Sequence, residues 1–294
     1  MKKVSLGLLL VVTVFLVTFF GCKKSDNNNN PNQLVYEITL STSPTLGQYL
    51  VDKDGYTLYF FSNDYMGRNT CLGGCAAVWP YFDAGTLTQA NIGNGLVLAD
   101  FDTVHINGVA QTRYKGWPLY YYAPSVSNGY GGSTNLREDP GKTGGEGFHS
   151  VWFVAKPDYS IMLANGQLLG NDGKKYLGTY LEGIGPTLYF TNSKGVTLYT
   201  YHIDLANSNK FTNPDFSNNP AWPIYETNQI VVPSILDKTL FSTTMVYGRT
   251  QLTYKGWPLY LFGRDNNVMG SNKGFTVPTI GIWPIAVQNI MNAP

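Results

Sequence analysis

Gln111-Thr112-Arg113-Tyr114-Lys115-Gly116-Trp117-Pro118-Leu119-Tyr120 is nearly spelled again by Gln251-Leu252-Thr253-Tyr254-Lys255-Gly256-Trp257-Pro258-Leu259-Tyr260. Upstream of each copy stands a shorter relative, Gly55-Tyr56-Thr57-Leu58-Tyr59 and Gly195-Val196-Thr197-Leu198-Tyr199. Positions 55 and 195, like 116 and 256, lie 140 apart, and within each copy 55 to 116 and 195 to 256 are both 61 apart. One unit is therefore used twice, and each unit is built from two related halves. Each long copy reads as a β-hairpin, with a Lys-Gly turn between two short aromatic runs.

Composition agrees with a β-rich chain. Of 294 residues 43% are hydrophobic, enough for real cores, while only 13% are charged, and the 32 Gly, 21 Tyr and 15 Phe suit turns and aromatic strands better than long charged helices. The expected fold is all-β, two tandem and mainly antiparallel β domains related by internal duplication, each made of β-hairpins. A net charge of +1 offers no electrostatic attraction to nucleic acid.

The N-terminus carries an address. Met1-Lys2-Lys3, the apolar run Val4 to Phe20 and then Gly21-Cys22 resemble a bacterial lipoprotein signal ending at an acylated cysteine. The apolar run is short for a membrane span. Residues 1–21 are thus expected to be removed and Cys22 lipidated, with the body outside the cytoplasm. Loss of Lys2 and Lys3 from the 20 basic residues leaves 18 against 19 acidic, so attachment would rest on acyl chains, at about 0.8 kcal/mol per buried methylene. Residues 22–34, with Asn27 to Asn30 at their centre, have nothing apolar to bury and read as a flexible tether.

The first β domain is placed at 35–157. Val35 to Leu40 alternates like a half-buried strand, and Tyr49 to Val51, Asp52 to Gly55 and Thr57 to Phe61 read as strand, turn and strand. Cys71 and Cys75, in a compartment where thiols oxidise, are expected to close a small disulfide loop. Asn91 to His105 reads as a connection, and Ser127 to Gly147 as a long polar loop. Residues 158–175 read as an ordered connector hairpin turning at Asn165-Gly166. The second domain, 176–294, repeats the first but has no cysteine, so the disulfide is expected to be a local staple.

Three segments share a Tyr-x-aromatic-x-x-Asp pattern. They are Tyr59, Phe61 and Asp64; Tyr199, Tyr201 and Asp204; and Tyr260, Phe262 and Asp265. Together with Cys71 to Pro80 and the Tyr-Lys-Gly hairpins, they are similar to the bacterial secreted-repeat lipoproteins of unknown function described by that motif. The resemblance covers nearly all of the mature chain and implies an envelope location and a fold, without a mechanism. The fourth half-repeat, Tyr120-Tyr121-Tyr122-Ala123-Pro124-Ser125, departs from the pattern with serine where the acid would be.

On a strand, Tyr59 and Phe61 share a face and Asp64 falls just past the end, where a carboxylate can accept backbone N–H bonds and fix the next loop. The competing reading is that the acids and tyrosine hydroxyls gather around a hard cation such as calcium. The six tryptophans pair across the repeat, Trp79 with Trp222, Trp117 with Trp257 and Trp152 with Trp283, as core residues do. A flat ligand would instead meet Tyr121, Tyr122 and Tyr130. His105, His149 and His202 have no paired spacing that would hold zinc or haem, and no cofactor motif is legible. No nucleophile with a base stands out, and the expected role is a non-catalytic binding or structural module, not an enzyme. It would sit in the cell envelope, at the outer membrane, held by its lipid, with an envelope protein or glycan as partner. The alternative is a periplasmic metal-handling or electron-transfer accessory protein.

Overall fold

A computed structural model describes residues 36–127 and 133–294. The signal segment, Cys22, the tether, Val35 and Tyr130 lie outside the described residues.

The chain is all-β, built of short strands in several small antiparallel sheets. Strands β1 (Ile38–Ser43) and β2 (Gly47–Asp52) form a hairpin. The Asp52 to Gly55 turn follows, with Asp52 Oδ1 accepting from the backbone N–H groups of Asp54 (3.0 Å) and Tyr56 (2.9 Å). Strand β3 (Tyr59–Phe61) then leaves the hairpin. Next come β4 (Phe101–Ile106), β5 (Val109–Tyr114) and β6 (Trp117–Pro118), a three-stranded meander, and the pair β7 (Ser125–Ser127) and β8 (Ser133–Asn135). Strand β9 (Trp152–Val154) returns to β3, setting Tyr59 opposite Val154 and Phe61 opposite Trp152. Strand β10 (Met162–Leu169) lies between β11 (Lys175–Tyr176) and β12 (Pro186–Thr191). Strands β13 (Phe241–Val246), β14 (Arg249–Tyr254) and β15 (Trp257–Pro258) restate the β4–β6 meander.

The quoted stretch is the β5–β6 hairpin and its copy the β14–β15 hairpin. Both turns hold two residues with positive φ, Lys115 (53°) and Gly116 (88°), and Lys255 (51°) and Gly256 (84°), the primed geometry that matches strand twist. A lysine tolerates that conformation because tertiary bonds hold it. Lys115 donates its backbone N–H to Asp100 O (2.6 Å) and Lys255 to Leu240 O (2.7 Å). Their ammonium groups reach Pro157 O (2.7 Å) and Gln288 O (3.0 Å).

The connector departs from expectation. Asn165-Gly166 is not a turn: both lie inside the continuous strand β10, opposite Leu188 and Thr187, and the chain turns later, between Leu169 and Lys175. Tertiary packing overrides the dipeptide's turn preference. Asn165 donates to Asn63 Oδ1 (2.8 Å), and Gly166 leaves room for the Tyr65 ring, whose carbons would stand 2.4 Å from a Cβ at that position.

Three apolar clusters fill the interior. Two lie within the first repeat, one around Leu50, Leu58 and Leu119, the other around Tyr59, Trp79, Tyr120 and Trp152. The largest joins Phe60, Trp117 and Phe153 to Phe190, Leu198, Trp222, Leu259 and Trp283, so both repeats share one core. The described residues accordingly fall in one compact unit.

Cys71 and Cys75 are disulfide-bonded, with Cα atoms 5.1 Å apart, at the start of the short helix α1 (Gly74–Val78). The second repeat holds the matching loop with amides instead. Asn209 Oδ1 accepts from Phe211 N (3.0 Å) and Thr212 N (2.8 Å), while its Nδ2 donates to Gln251 Oε1 (2.8 Å). The first repeat has the same amide contact, Asn69 Nδ2 to Gln111 Oε1 (2.6 Å). Replacing Cys71 and Cys75 by serine should therefore cost roughly 2 kcal/mol, the loop-entropy value for so short a ring, and leave a cooperative denaturant transition. Non-cooperative unfolding of the double variant would show that the staple is not local.

Candidate functional site: tyrosines and carboxylates exchanged between half-repeats

The four half-repeats meet in pairs. Tyr59 and Tyr120 exchange both backbone hydrogen bonds at 2.9 Å, and Tyr199 and Tyr260 do the same at 2.9 Å. All four side chains are fully buried. Because the paired segments run antiparallel, each tyrosine lies near the end of its neighbour's strand and not of its own. Tyr120 O–H donates to Asp64 Oδ2 (2.5 Å), Tyr260 to Asp204 Oδ2 (2.7 Å) and Tyr199 to Asp265 Oδ2 (2.5 Å). The motif's tyrosine and aspartate thus serve different copies of the motif.

Tyr59 is the tyrosine whose partner segment has Ser125 in place of the acid. Its hydroxyl donates to Glu138, from the loop after β8. The second oxygen of every carboxylate takes a donor six residues further along the chain. Asp64 Oδ1 accepts from Thr70 N and Thr70 Oγ1, both at 2.7 Å, and Asp204 Oδ1 from Lys210 N at 2.6 Å. Asp265 Oδ1 accepts from Ser271 Oγ at 2.6 Å, and Glu138 Oε2 from Gly144 N at 2.7 Å. The loop-fixing role expected of the aspartates is present in each; the cross-copy tyrosine and the substitute acid Glu138 are what sequence reasoning missed. The shared spacing to the second donor was a signal for Glu138.

The hydroxyls of Tyr59 and Tyr199 also accept from the backbone N–H groups of Gly145 (3.3 Å) and Gly274 (3.2 Å). A Cβ at Gly145 would stand 2.8 Å from the Trp79 ring, and one at Gly274 2.8 Å from both Trp222 and Tyr199, so only glycine lets the main chain come this close.

The motif's central aromatic closes a stack. In the first repeat Phe61 lies on Trp152 (centroids 4.0 Å), Trp152 on Trp79 (3.8 Å) and Trp79 against Tyr122 (4.6 Å). In the second, Tyr201 lies on Trp283 (4.4 Å), Trp283 on Trp222 (3.8 Å) and Trp222 against Phe262 (4.4 Å). Five tryptophans are buried; Trp257 is half-buried, donating its indole N–H to Met291 O (2.8 Å). Tyr122, expected to face a ligand, ends the first stack, while Tyr121 donates to Asp52 Oδ2 (2.7 Å) beneath the Arg137 guanidinium. Both rings are packed on one side and half-exposed on the other.

Burial raises these carboxyls above their ordinary range. For Asp64 it outweighs the hydrogen bonds from Tyr120 and Thr70 and pushes the pKa up to about 7. Asp204 is pushed up to about 6, against the bonds from Lys210 and Tyr260, and Asp265 and Glu138 shift in the same direction. A carboxyl that holds its proton more tightly when folded stabilises the fold fully below its unfolded pKa near 4. That contribution is lost as pH rises through about 7 for Asp64 and about 6 for Asp204. Unfolding free energy measured in urea should therefore fall between about pH 4 and pH 7, and Asp64→Asn should flatten part of that slope. A rise over the same interval would mean that the carboxylates fold in their charged form.

No group of three His, Cys, Asp or Glu side chains suited to a metal ion occurs among the described residues, and the motif acids have both oxygens engaged by protein donors. A separate cleft of about 660 Å³ lies between Pro186, Thr187 and Leu188 at the start of β12, Gly178 and Thr179, and the C-terminal residues Val287, Gln288 and Asn289. No titratable side chain lines it. The buried Thr187 hydroxyl has no partner.

Fold and site together define a β-repeat protein whose aromatic clusters recur and whose motif residues knit half-repeats to one another. Residues 41–82 match the model of a family described as a secreted repeat of unknown function, the family that the Tyr59 to Asp64 motif and the Cys71 to Pro80 loop resemble. No curated protein and no solved structure matches the chain. The family's description agrees with a location outside the cytoplasm, and no helix among the described residues is long and apolar enough to cross a membrane.

Proposed function

We propose that the protein is a lipid-anchored module of the cell envelope that acts by binding or supporting a partner, a non-catalytic role in the sense that its motif residues form no site open to a substrate. The observation that carries this reading is the engagement of every motif tyrosine and acid by another part of the same chain, out of reach of any substrate. Residues that recur in kind between the half-repeats are engaged inside the fold, leaving partner binding to surfaces that differ between them. In this reading residues 35–157 and 176–294 are the two repeated units, Cys22 carries the acyl chains that hold the chain on the outer membrane, and the 22–34 tether sets the body off the bilayer. The partner is an envelope protein or glycan, and the uncharged cleft beside β12 suits a neutral ligand, a sugar or an extended peptide backbone.

Two measurements test this. Mass spectrometry of protein purified from its own membranes should find a diacylglyceryl group on Cys22, and Cys22→Ala should release the body into the soluble fraction. Cross-linking in intact envelopes should capture a partner, and Thr187→Arg, which fills the cleft with a charge, should reduce the yield. Full retention of the Cys22→Ala variant on membranes argues against lipid anchoring; an unchanged cross-link in Thr187→Arg argues against the cleft.

A further inference from the structure

Burying an ionisable acid costs free energy that a neutral acceptor avoids. Outside the motif the chain uses both solutions: Tyr81 O–H donates to Cys71 O (2.9 Å) and Tyr254 O–H to Gln288 O (2.8 Å), while the half-buried Tyr121 donates to Asp52 (2.7 Å). Yet the four motif tyrosines each donate to a carboxyl oxygen, so satisfying a buried hydroxyl does not by itself account for the choice of acid.

These tyrosines also stand at the two flanks of each tryptophan pair. In the first repeat the Tyr120 ring is 5.0 Å from Trp152, Trp152 is 3.8 Å from Trp79, and Trp79 is 5.5 Å from Tyr59. In the second, Tyr260 is 5.2 Å from Trp283, Trp283 3.8 Å from Trp222, and Trp222 5.4 Å from Tyr199. Each cluster reaches the surface through a half-buried ring, Tyr122 at 4.6 Å from Trp79 and Tyr201 at 4.4 Å from Trp283. Indole and phenol rings are among the side chains most easily oxidised by one electron. A phenol gives up that electron readily only when a base already hydrogen-bonded to it can take the proton, which is the position each carboxyl occupies.

We propose that each aromatic cluster is a one-electron relay that reduces radical oxidants at the surface and holds the oxidising equivalent as a buried neutral tyrosyl radical. The oxidant takes one electron through Tyr122 or Tyr201 and the tryptophan pair. The motif tyrosine loses that electron and its hydroxyl proton, and the O–H bond broken on the phenol is replaced by one formed on the carboxylate oxygen. A one-electron reductant such as a thiol or hydroquinone reverses both transfers, returning the proton to the phenol. Burial, which brings Asp64 to about 7 and Asp204 to about 6, suits them to accept and return a proton near neutrality.

The test oxidises the purified full-length chain with photogenerated tris(bipyridine)ruthenium(III) and follows radicals by transient absorption and electron paramagnetic resonance. The expected result is a neutral tyrosyl radical at least several-fold longer-lived than that of N-acetyltyrosinamide, formed more slowly in D2O. Asp64→Asn combined with Asp204→Asn should shorten that lifetime several-fold, and Trp79→Phe combined with Trp222→Phe should cut the yield several-fold. A wild-type radical no longer-lived than that of the free amino-acid amide overturns the proposal, as does an unchanged signal in folded Asn variants. Should the Asn variants fail to fold, the wild type alone decides: formation at the same rate in D2O overturns the proton transfer, and slower formation supports it.

Discussion

Asp64→Ala and Asp204→Ala should each lose about 3 kcal/mol or more of unfolding free energy. The reason is that each removes a buried acceptor serving both a tyrosine from the other half-repeat and the loop after its own strand. The same replacement at Ser125, the exposed position where the fourth acid would stand, should stay within about 0.5 kcal/mol. Glu138→Ala should behave as a motif mutation despite lying outside every copy of the motif. Its loss frees Tyr59 O–H and Gly144 N–H, at about 1–2 kcal/mol, less than for the aspartates because Glu138 is only half-buried. Urea titrations of the four variants give the ranking. If Glu138→Ala is silent while Ser125→Ala is not, the substitution of one acid for another is misread.

Trp152→Ala and Trp283→Ala should be the most damaging tryptophan changes, at about 3–5 kcal/mol each. Trp152 is sandwiched between Phe61 and Trp79, and Trp283 between Tyr201 and Trp222, so truncation opens a cavity that flat neighbouring rings cannot collapse to fill. Trp257→Ala should cost distinctly less, since that ring is half-buried and its indole N–H reaches only the C-terminal segment. Guanidinium denaturation of the three variants orders them. Equal losses at Trp257 and Trp283 would show that the stacks carry no more of the core than the meander does.

The architecture was largely legible in the chain because it rests on local chemistry written twice. Lys115-Gly116 and Lys255-Gly256 specify turns that only positive φ can make, and the aromatic runs beside them alternate as strands do. Where a local signal was answered by distant residues, reading failed. Asn165-Gly166 carries a strong turn signature, but Asn63 and Tyr65 occupy it from across the fold and keep β10 straight. Strand β4 (Phe101–Ile106) falls, but for its last residue, inside Asn91 to His105, which reads as a connection; it forms because β5 supplies the pairing partner and Asn107-Gly108 the turn.

By itself, the sequence determined the β class, the repeat period, the disulfide and the motif, because each depends on residues within a few positions of one another or on plain recurrence. Only the tertiary structure decided which acid each tyrosine meets. Antiparallel pairing of half-repeats places a strand's end beside its neighbour's beginning, so the motif's tyrosine and aspartate come together only between copies, and where one copy lacks its acid a carboxylate on a loop of the right reach, Glu138, supplies it.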